Sequence, residues 1–480
     1  MQYLTADAVR DAERATGDLL INGTLMARAS SGVAQVVAAE LRRTGGCYGR
    51  RVGIVVGAGD NGGDALYAGA ALRRRGVSCD AVLLVPDKAH ALALNAFRHA
   101  GGRVVEALPA GLDVVLDGVV GIGGRGPLRP AAAEVFGALT PHTAGGPLIV
   151  AVDLPSGVDA DTGEAHDPSV AADVTVTFGV RRNAHLLAAP RCGRVELIDI
   201  GIDVADTEPP FGALTDAEVG ARWPVPGPAD DKYTQGVVGI VAGSARYPGA
   251  AILATGAAVA ATSGMTRYIG SAADEVVGHW PEVVAARSFD DAGRVQAWVA
   301  GPGMGVDGEA LVRLRHLLGT DLPVLVDADG LTLLAAHPEL MTDRTAPTLL
   351  TPHAGEFARL SGTELGPDRL TAVRDLAARW QVTVLLKGRI TLVADPSGAV
   401  LGNDAGTSWA ATAGAGDVLS GIAGALLAAG FSPLMAGAAA ARVHARAAAL
   451  ASGGAPIGAS NLLAAVRPAI RRLRGHTTVM

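Results

Sequence analysis

Short apolar runs rich in β-branched residues recur along this 480-residue chain, and most end at glycine or aspartate before an alanine-rich stretch. The first five are RVGIVVGAG, DAVLLVPD, DVVLDGVVG, PLIVAVDLPSG and ADVTVTFGV, which fill residues 50–200. Strands that alternate with helices predict βαβ units and a parallel sheet. The fold class is therefore predicted to be α/β, with ligands bound at the carboxyl ends of the strands.

A second series of the same kind begins near residue 236 with GVVGIVAGS and continues through VQAWVAGPGMG, PVLVDADGL, APTLLTPHAGE and VTVLLKGRITLV. A proline-rich segment without strand alternation separates the two series. The chain is also longer than one hydrophobic core usually supports. We predict a Rossmann-like three-layer domain over 1–205, a linker over 206–227 and a second α/β domain over 228–480.

The composition favours a small-molecule partner. Charged residues make up 18% of the chain and the net charge is -7, which argues against a nucleic-acid footprint or a polybasic membrane surface. Three scattered cysteines, Cys47, Cys79 and Cys192, predict neither a disulfide framework nor a zinc site, and indicate a reducing, cytoplasmic environment. The first residues resemble a capped amphipathic helix starting near Thr5 rather than an export signal.

Residues 418–441 are long and apolar enough to raise the question of a membrane span. The stretch is mostly alanine and glycine and contains Ser420, Ser432 and Pro433. We therefore predict a tightly packed buried helix pair and no membrane partner.

The segment TAGAGDVLSG, residues 412–421, predicts an anion site. Gly414 and Gly416 allow successive amide groups to converge at the start of a helix, where the helix dipole also favours an anion. Asp417 follows directly and could take a proton from a substrate hydroxyl. The alternative is a packing turn with Asp417 as a helix cap.

Polar residues follow other strands of the second series. TPHAGE places His353 and Glu356 after a strand, DADGL does the same for Asp327 and Asp329, and GPGMG at 301–305 adds a loop that permits close approach. Singly, each is typical of a turn. Together they predict one cleft.

Lysine occurs only at positions 88, 232 and 387, against 37 arginines. An ammonium group is a compact charge that a guanidinium does not replace, so Lys232 and Lys387 are candidates for function. Chance is the alternative explanation.

In the first series, GAGDNGG matches G-x-G-x-x-G through Gly57, Gly59 and Gly62. Polar Asp60 and Asn61 and the following Asp64 suggest chemistry as well as phosphate binding, and a plain turn is the alternative. Later strand ends supply Asp117, Asp153 and Ser156, whose oxygens suit a cation or bonds to loop amides.

The second half resembles the ADP-dependent NAD(P)H-hydrate dehydratases, a ribokinase-like family, over residues 228–475. The resemblance is carried by DKYTQGVVGIVAGSARYPGA, GPGMG, DADGL, TPHAGEFARL and GTSWAATAGAGDVLSGIAGAL. It implies a ribokinase-like fold and two sets of contact residues. The hydrated cofactor would contact Ala250, Ala251, Gly303, Gly305, His353 and Asp417. ADP, with ATP as the alternative, would contact Lys387, Gly388, Arg389, Ile390, Thr391, Gly414 and Gly416.

The resemblance also implies a chemistry for the second half. Asp417 would deprotonate the ring hydroxyl, a phosphoryl group would move onto it from ADP with Mg²⁺ bridging the phosphates, and loss of phosphate would restore the double bond. Thr332 stands where this family typically has asparagine.

The first half resembles the NAD(P)H-hydrate epimerases over residues 1–205. The resemblance implies that Asp153 does acid–base work at the hydrated carbon, and that K⁺ is bound by Asn61, Asp117 and Ser156. The implied substrate contacts are Asp60, Asn61, Gly62, Gly63, Asp64, Gly121, Ile122, Gly123, Gly124, Arg125, Gly126, Pro127 and Asp153. Asp60 replaces an asparagine of that family and Arg182 replaces a lysine.

The leading hypothesis is a bifunctional cofactor-repair enzyme acting on NADHX and NADPHX, the hydrates of NADH and NADPH, and forming a homo-oligomer. A ribokinase-like small-molecule kinase with a fused nucleotide-binding domain is the alternative, since it would use the same anion site and Asp417. A non-catalytic nucleotide-binding protein is the third class.

Overall fold

The structure is a computed structural model that describes residues 1–204 and 210–475. The chain divides into two compact units, of which one is Gln2–Thr207 and the other contains Glu208–Met480. Each unit is described by itself below.

The first unit is built from short strands and helices in alternation. Its strands are β1 (Tyr3–Leu4), β2 (Arg51–Val56), β3 (Ser78–Leu83), β4 (Arg103–Val104), β5 (Val114–Gly118), β6 (Leu148–Val152), β7 (Val174–Phe178), β8 (Arg181–Arg182) and β9 (Arg194–Ile198). Its α-helices are α1 (Ala6–Ala15), α2 (Asp18–Ile21), α3 (Thr24–Arg43), α4 (Asp60–Arg73), α5 (Ala91–His99), α6 (Pro130–Gly137), α7 (Ala184–Leu187) and α8 (Ala189–Cys192), and short 3₁₀ helices span Pro86–Lys88 and His142–Ala144.

Seven strands of the first unit form one parallel sheet in the order β4-β3-β2-β5-β6-β7-β9, and β1 pairs with β8 in a small second sheet. The central strands are apolar and buried on both faces, as parallel strands covered by helices are. The chain runs outward from β2 to β4 and returns at β5, so the strand order reverses between β2 and β5. Ligands of open α/β sheets bind at such a reversal.

The second unit follows the same principle over a longer sheet. Its strands are β10 (Phe211–Gly212), β11 (Val237–Val241), β12 (Met265–Ile269), β13 (Val284–Ala286), β14 (Ala297–Ala300), β15 (Val324–Val326), β16 (Thr348–Leu350), β17 (Thr383–Leu386), β18 (Ile390–Ala394) and β19 (Val400–Asp404). Its α-helices are α9 (Asp216–Arg222), α10 (Pro248–Ala261), α11 (Ala273–His279), α12 (Gly308–Leu318), α13 (Asp329–Ala336), α14 (Ala354–Ser361), α15 (Arg369–Trp380), α16 (Ala415–Ala428), α17 (Pro433–Ser452), α18 (Ala459–Ala464) and α19 (Val466–Leu473), and a 3₁₀ helix spans Pro338–Met341.

Ten strands form the sheet of the second unit, in the order β10-β19-β18-β17-β16-β15-β14-β11-β12-β13. The β17–β18 and β18–β19 pairs are antiparallel, and the other pairs are parallel. The strand order reverses between β11 and β14. The loops after β11, β14, β15, β16 and β17 therefore meet at one edge of the sheet, and these loops carry the predicted site residues.

Part of the segment 206–227, which is predicted as a linker, packs in the second unit. Residues 205–209 lie outside the described residues, but β10 pairs with β19, and Val219 of α9 and Trp223 belong to the hydrophobic core of the second unit. The prolines at 224, 226 and 228 follow α9 rather than separate two domains. Phe211, Val219 and Trp223 are buried although prolines lie on both sides of this segment.

The apolar stretch 418–441 forms most of α16 and the start of α17, which pack together in the core of the second unit. No helix among the described residues is both long and apolar enough to cross a membrane. The prediction of a buried helix pair is confirmed.

Candidate active sites

The loop after β2 in the first unit packs so closely on neighbouring backbone that two of its positions accept only glycine. A Cβ on Gly57 would lie 1.9 Å from the carbonyl oxygen of Val119, and one on Gly62 would lie 2.5 Å from the carbonyl oxygen of Gly57. Gly59 has a φ of 89° and caps the start of α4, so Asp60 lies in the first turn of that helix. Across the described residues, the amides of Asp60, Asn61 and Gly62 donate to no acceptor. These free amides can receive an anionic group.

Asp153 lies at the end of β6 with a φ of 66°, a left-handed conformation that aspartate tolerates better than most residues. Its Oδ1 accepts a hydrogen bond from Thr177 Oγ1 at 3.0 Å and lies 3.1 Å from Arg182 Nη2. Its carbonyl oxygen lies 2.8 Å from His185 Nε2, and His185 Nδ1 accepts the amide of Arg182. Burial lowers the pKa of His185 to about 4, so the ring is neutral and donates through Nε2.

Other carboxyl groups surround Asp153. Asp64 is buried, its Oδ1 has no partner among the described residues, and burial together with the charges of Asp153 and Asp60 raises its pKa well above the usual range. Glu13 of α1 belongs to the same electrostatic cluster, and burial raises its pKa as well. The sequence analysis did not identify Glu13, since it recognised α1 only as a helix capped by Thr5.

The second predicted loop, Gly121–Pro127, follows β5 and lies next to Asn61 and Asp153. A Cβ on Gly121 would lie 3.1 Å from Asn61 Oδ1 and 3.5 Å from Asp153 Oδ2. Arg10 of α1 donates a hydrogen bond to the carbonyl oxygen of Ile122 at 3.4 Å. The structure thus brings together Asn61, Gly121 and Asp153, which come from three different strand ends.

The predicted cation ligands also lie at these strand ends. Asp117 is fully buried, and it accepts bonds from Ser156 N at 2.8 Å, Ser156 Oγ at 2.7 Å and Val119 N at 3.2 Å. Burial raises the pKa of Asp117 to about 6, although the hydrogen bonds from these donors act to lower it. Among the described residues Asp117 forms no salt bridge, so its buried charge has no cationic side chain as a partner. Asn61 lies beside Gly118, the next residue along β5.

These residues fit a monovalent cation. Carboxylate, hydroxyl and amide oxygens are hard ligands, and a buried carboxylate without a basic partner is stabilised by a bound positive charge. In the described part of the chain, no group of three His, Cys, Asp or Glu residues could hold a metal ion. The oxygens at Asp117 are hard ligands of the kind that alkali and alkaline-earth cations accept.

The start of α16 forms the anion site of the second unit. Gly414 precedes the helix with a φ of 83°, and the amides of Gly414, Gly416 and Asp417 donate to no acceptor among residues 1–204 and 210–475. A Cβ on Gly416 would lie 3.6 Å from Lys387 Nζ and 3.8 Å from Asp327 Oδ2. Free amides, the helix dipole and a lysine thus converge on one position.

Asp417 lies in the first turn of α16 and faces this position. A Cβ on Gly414 would lie 3.8 Å from Asp417 Oδ2. Burial, and then the charge of Asp327, raise the pKa of Asp417 to about 7, while Lys387 lowers it. A carboxylate with this pKa is suited to accept a proton near neutral pH.

Lys387, directly after β17, is held by two buried carboxylates. Its Nζ lies 2.6 Å from Asp327 Oδ1 and 3.5 Å from Glu356 Oε2, and Asp327 Oδ2 accepts a hydrogen bond from Ser420 Oγ at 2.7 Å. Burial opposes the charge of Lys387, but the two carboxylates raise its pKa above the usual value. The sequence analysis did not predict the role of Ser420, which lies one turn after Asp417. Lys232, the other lysine it singled out, is exposed and lies over the ring of Tyr233 instead.

The residues predicted to contact the hydrated cofactor come from neighbouring loops. A Cβ on Gly303 would lie 2.9 Å from Ala250 Cβ, and Gly305 N donates to Asp329 Oδ2 at 2.9 Å. Ala251 is fully buried, so of the alanine pair only Ala250 presents its side chain near the surface. Thr332 lies within α13 and donates to the carbonyl oxygen of Ala328 at 3.5 Å.

His353 is exposed at the N-terminus of α14. Its Nδ1 accepts the amide of Gly355 at 3.0 Å, and Glu356 accepts the amide of His353 in return. This capping arrangement fixes His353 and leaves its Nε2 facing Glu356 Oε1 at 3.5 Å.

A cavity of about 280 Å³ adjoins the anion site. Of the residues predicted for nucleotide contact, Lys387, Gly388, Arg389, Thr391 and Gly416 line it, whereas the side chain of Ile390 is buried in the sheet. Leu419, Ala441 and Ala445 form an apolar wall, and His444 and Asn403 supply polar groups. An apolar cavity with a few polar groups beside an anion site suits a nucleotide.

Comparison with known proteins gives matches in both halves of the chain. The sequence profile described as NAD(P)H-hydrate dehydratase matches residues 238–466, and the profile described as YjeF-related protein N-terminus matches residues 22–184.

Curated relatives match along nearly the whole chain. A bifunctional NAD(P)H-hydrate repair enzyme of Mycobacterium leprae is 58% identical over 98% of this chain and 99% of its own. One of Mycobacterium tuberculosis is 59% identical over 89% of each chain, and one of Corynebacterium glutamicum is 39% identical over 90% of this chain and 88% of its own. Among solved structures, an ADP/ATP-dependent NAD(P)H-hydrate dehydratase from Bacillus subtilis covers 55% of this chain and 98% of its own, at 27% identity and a TM-score of 0.49.

Proposed function

Because the chain belongs to the family of bifunctional NAD(P)H-hydrate repair enzymes, we propose that its first unit interconverts the R and S hydrates of NADH and NADPH, and that its second unit returns the S hydrate to the reduced cofactor. The protein is an enzyme of nicotinamide cofactor repair. The assignment of each step to named residues is our proposal, and it rests on the geometry of the two sites.

Asp417 is the base of the dehydration. It has no hydrogen-bond partner among the described residues, its pKa is raised to about 7 and it faces the free amides at the start of α16. It removes the proton of the ring hydroxyl, and the hydroxyl oxygen attacks the β-phosphorus of ADP. The phosphate bond of ADP breaks and AMP leaves.

Loss of phosphate completes the reaction. The ring nitrogen donates its electron pair as the carbon–oxygen bond to phosphate breaks, and a proton then leaves the neighbouring carbon to restore the double bond. The balance is one hydrate and one ADP consumed, with one reduced cofactor, one AMP and one phosphate formed. The free amides of Gly414 and Gly416 and the ammonium group of Lys387 stabilise the charge on the transferring group.

The nucleotide is ADP in this proposal, with ATP as the alternative, and its base and ribose occupy the cavity beside Lys387 and Thr391. Mg²⁺ would neutralise phosphate charge during the transfer. Because the described residues contain no group of three metal-binding side chains, the ion would be held mainly by the phosphates and water.

Asp153 is the acid–base residue of the epimerisation. It lies beside Asn61 and Gly121, where the free amides at the start of α4 can hold a phosphate of the dinucleotide. Its carboxylate takes the proton of the hydroxyl at the hydrated carbon as that oxygen becomes a carbonyl and the bond from the carbon to the ring nitrogen breaks, with the electron pair going to the nitrogen. The nitrogen then attacks the other face of the carbonyl, and the carboxylate returns the proton to the oxygen. Thr177 and Arg182 hold the carboxylate in position for this proton transfer.

K⁺ bound by Asn61, Asp117 and Ser156 would supply the positive charge that Asp117 lacks. The epimerase rate is then expected to rise when KCl replaces choline chloride at constant ionic strength, and Asp117→Asn should remove that dependence. An equal rate in both salts would contradict the K⁺ site. The dehydratase rate of the same protein serves as the control for general salt effects.

Two further features remain predictions. A homo-oligomer is expected, and light scattering coupled to gel filtration would measure its mass. A cytoplasmic location is expected from cysteine usage, since Cys47, Cys79 and Cys192 are all free.

The decisive experiment supplies purified protein with separated R and S hydrates and ADP, and follows the absorbance of the restored cofactor. The S hydrate should be repaired in an ADP-dependent manner, and the R hydrate should follow at a rate set by the first unit. Failure to restore cofactor, with phosphoryl transfer to an added alcohol or pyrimidine instead, would favour the small-molecule kinase. ADP binding without any turnover would favour a non-catalytic protein.

A further inference from the structure

The peptide between Ala415 and Gly416 has both of its polar groups near the anion site. Its N–H is the free amide of Gly416, and its carbonyl oxygen belongs to Ala415. A peptide is planar, with its N–H and C=O pointing in opposite directions. The helix backbone and any side chain that bonds to the carbonyl of Ala415 therefore together set the direction of the Gly416 N–H.

A histidine side chain holds that carbonyl. His444 of α17 places its Nε2 2.9 Å from Ala415 O, and its Nδ1 has no hydrogen-bond partner among the described residues. A carbonyl oxygen only accepts, so Nε2 carries the proton. Burial, and to a smaller extent the charge of Lys387, lower the pKa of His444 to about 4, which leaves the ring neutral with its single proton on Nε2.

His444 is surrounded by small residues. It lines the cavity beside Ala441 and Ala445 of its own helix and Ala415 of α16. The neighbouring surfaces of α16 and α17 are made largely of alanine and glycine, so the two helices approach closely. Among the described residues of α17, only His444 forms a side-chain hydrogen bond to the turn at the anion site.

We propose that His444 is a positioning residue for the phosphoryl transfer of the second unit. By donating to Ala415 O, it fixes the peptide plane that directs the Gly416 N–H at the transferring group. A peptide whose carbonyl accepts a hydrogen bond is also more polarised, so its N–H becomes a stronger donor. The inference rests on the proposed dehydratase function and adds to it a residue that acts on the transferring group through the Ala415–Gly416 peptide.

A purely structural role for His444 would be to tie α17 to α16. The two roles differ in what they predict for the reaction. A structural tie affects cavity shape and stability, and hence nucleotide binding, whereas an aligned amide acts when charge develops on the transferring group. Removal of one oxyanion donor lowers turnover by about 100-fold to 1000-fold in other enzymes, so loss of its alignment should cost about 10-fold to 100-fold.

The test compares His444→Leu, which fills the space without a donor, with His444→Gln, whose side-chain amide can still donate to Ala415 O. The turnover number for dehydration of the S hydrate should fall about 10-fold to 100-fold in His444→Leu and return to within a few-fold of wild type in His444→Gln. The affinity for AMP, which lacks the transferred group, should fall much less than the turnover number in both variants. Binding of AMP by the same proteins also reports whether the second unit has folded.

A second measurement does not depend on activity. In protein labelled with ¹⁵N-histidine, the resonance that disappears in His444→Gln should show a neutral ring protonated on Nε2 at pH 7. A ring protonated on Nδ1, or a charged ring, would overturn the proposal.

The kinetic outcomes separate the two claims. Equal turnover by wild type and His444→Leu, or a loss that His444→Gln does not recover, would overturn the role of His444 alone. A fall in AMP affinity as large as the fall in turnover would assign His444 a structural role. A wild-type protein that restores no cofactor with ADP would overturn the proposed function, and the role of His444 with it.

Discussion

Arg182 Nη2 lies 3.1 Å from Asp153 Oδ1, and both side chains are almost completely buried. The same guanidinium donates to the carbonyl oxygens of Val180 and Phe178 through its Nη1. The arginine at position 182 is thus a fixed ion-pair partner of the predicted acid–base residue. Its planar, multidentate group makes contacts that a single ammonium group cannot make together.

Replacing Arg182 by Met or by Lys should distinguish the effect of its positive charge from the effect of its hydrogen bonds. Arg182→Met leaves Asp153 buried without a partner, so the first unit should lose about 3–5 kcal/mol of stability and its epimerase activity. Arg182→Lys keeps the charge but loses bonds to both carbonyls, so a loss of about 1–3 kcal/mol is expected with epimerase activity retained. Urea unfolding and R-hydrate consumption measure the two effects. Equal stability of the Met and Lys variants would contradict the importance of the ion pair.

Asp153→Asn should stop epimerisation without straining the backbone, although it lowers stability because Arg182 is left buried without its charged partner. Asparagine tolerates the φ of 66° at this position, so the backbone needs no rearrangement, whereas alanine would be strained there. We expect the rate of R-hydrate conversion to fall by about 100-fold or more, toward the spontaneous rate. ADP-dependent repair of the S hydrate by the same protein should be unchanged. R-hydrate conversion at the wild-type rate would exclude Asp153 as the acid–base residue.

The sequence predicted those parts of the sites that depend on local structure. Asp117, Asp153 and Asp327 each end a strand, and the carboxyl ends of parallel strands meet at one edge of a sheet. Their approximate placement thus followed from pattern alone. Gly414 and Gly416 were predicted for a similar reason, because a glycine turn before a helix is a local feature. The arginine bias singled out Lys387 and the exposed Lys232 alike and gave no way to distinguish them.

The remainder of the sites depends on which helices pack together. Glu13 reaches the first site from α1, and His444 reaches the second from α17, and neither lies in a recognisable motif. Ser420 was visible beside Asp417, but its bond to Asp327 joins residues 93 positions apart. Such contacts depend on helix orientation, which a single sequence without its fold does not specify.

The stability of the second unit should depend on the ionisation of Asp417. Its pKa is about 7 in the folded protein, above the unfolded value of 3.8, so the folded state keeps a proton that the unfolded state has lost. Stability contributed by this group is therefore present below pH 4 and is lost as the pH rises to 7. At pH 8 the folded protein therefore carries a buried charge that lowers its stability. Asp417→Asn removes that charge, so the variant should melt at a higher temperature than wild type at pH 8. The difference should shrink as the pH falls and disappear only below pH 4, and dehydration should be abolished at pH 8 while ADP binding stays within a few-fold.

The same pKa predicts the pH dependence of dehydration. The base must be ionised, so kcat/KM for the S hydrate should rise about tenfold per pH unit below 7 and become constant above it. Asp327→Asn removes the negative charge that raises the pKa of Asp417, so the inflection should move about one pH unit lower. Ser420→Ala is the matched control, because it removes a neutral donor to Asp327 and leaves the charge in place. An inflection that stays near 7 in Asp327→Asn, or moves equally in Ser420→Ala, would show that Asp327 does not set the pKa of the base through its charge.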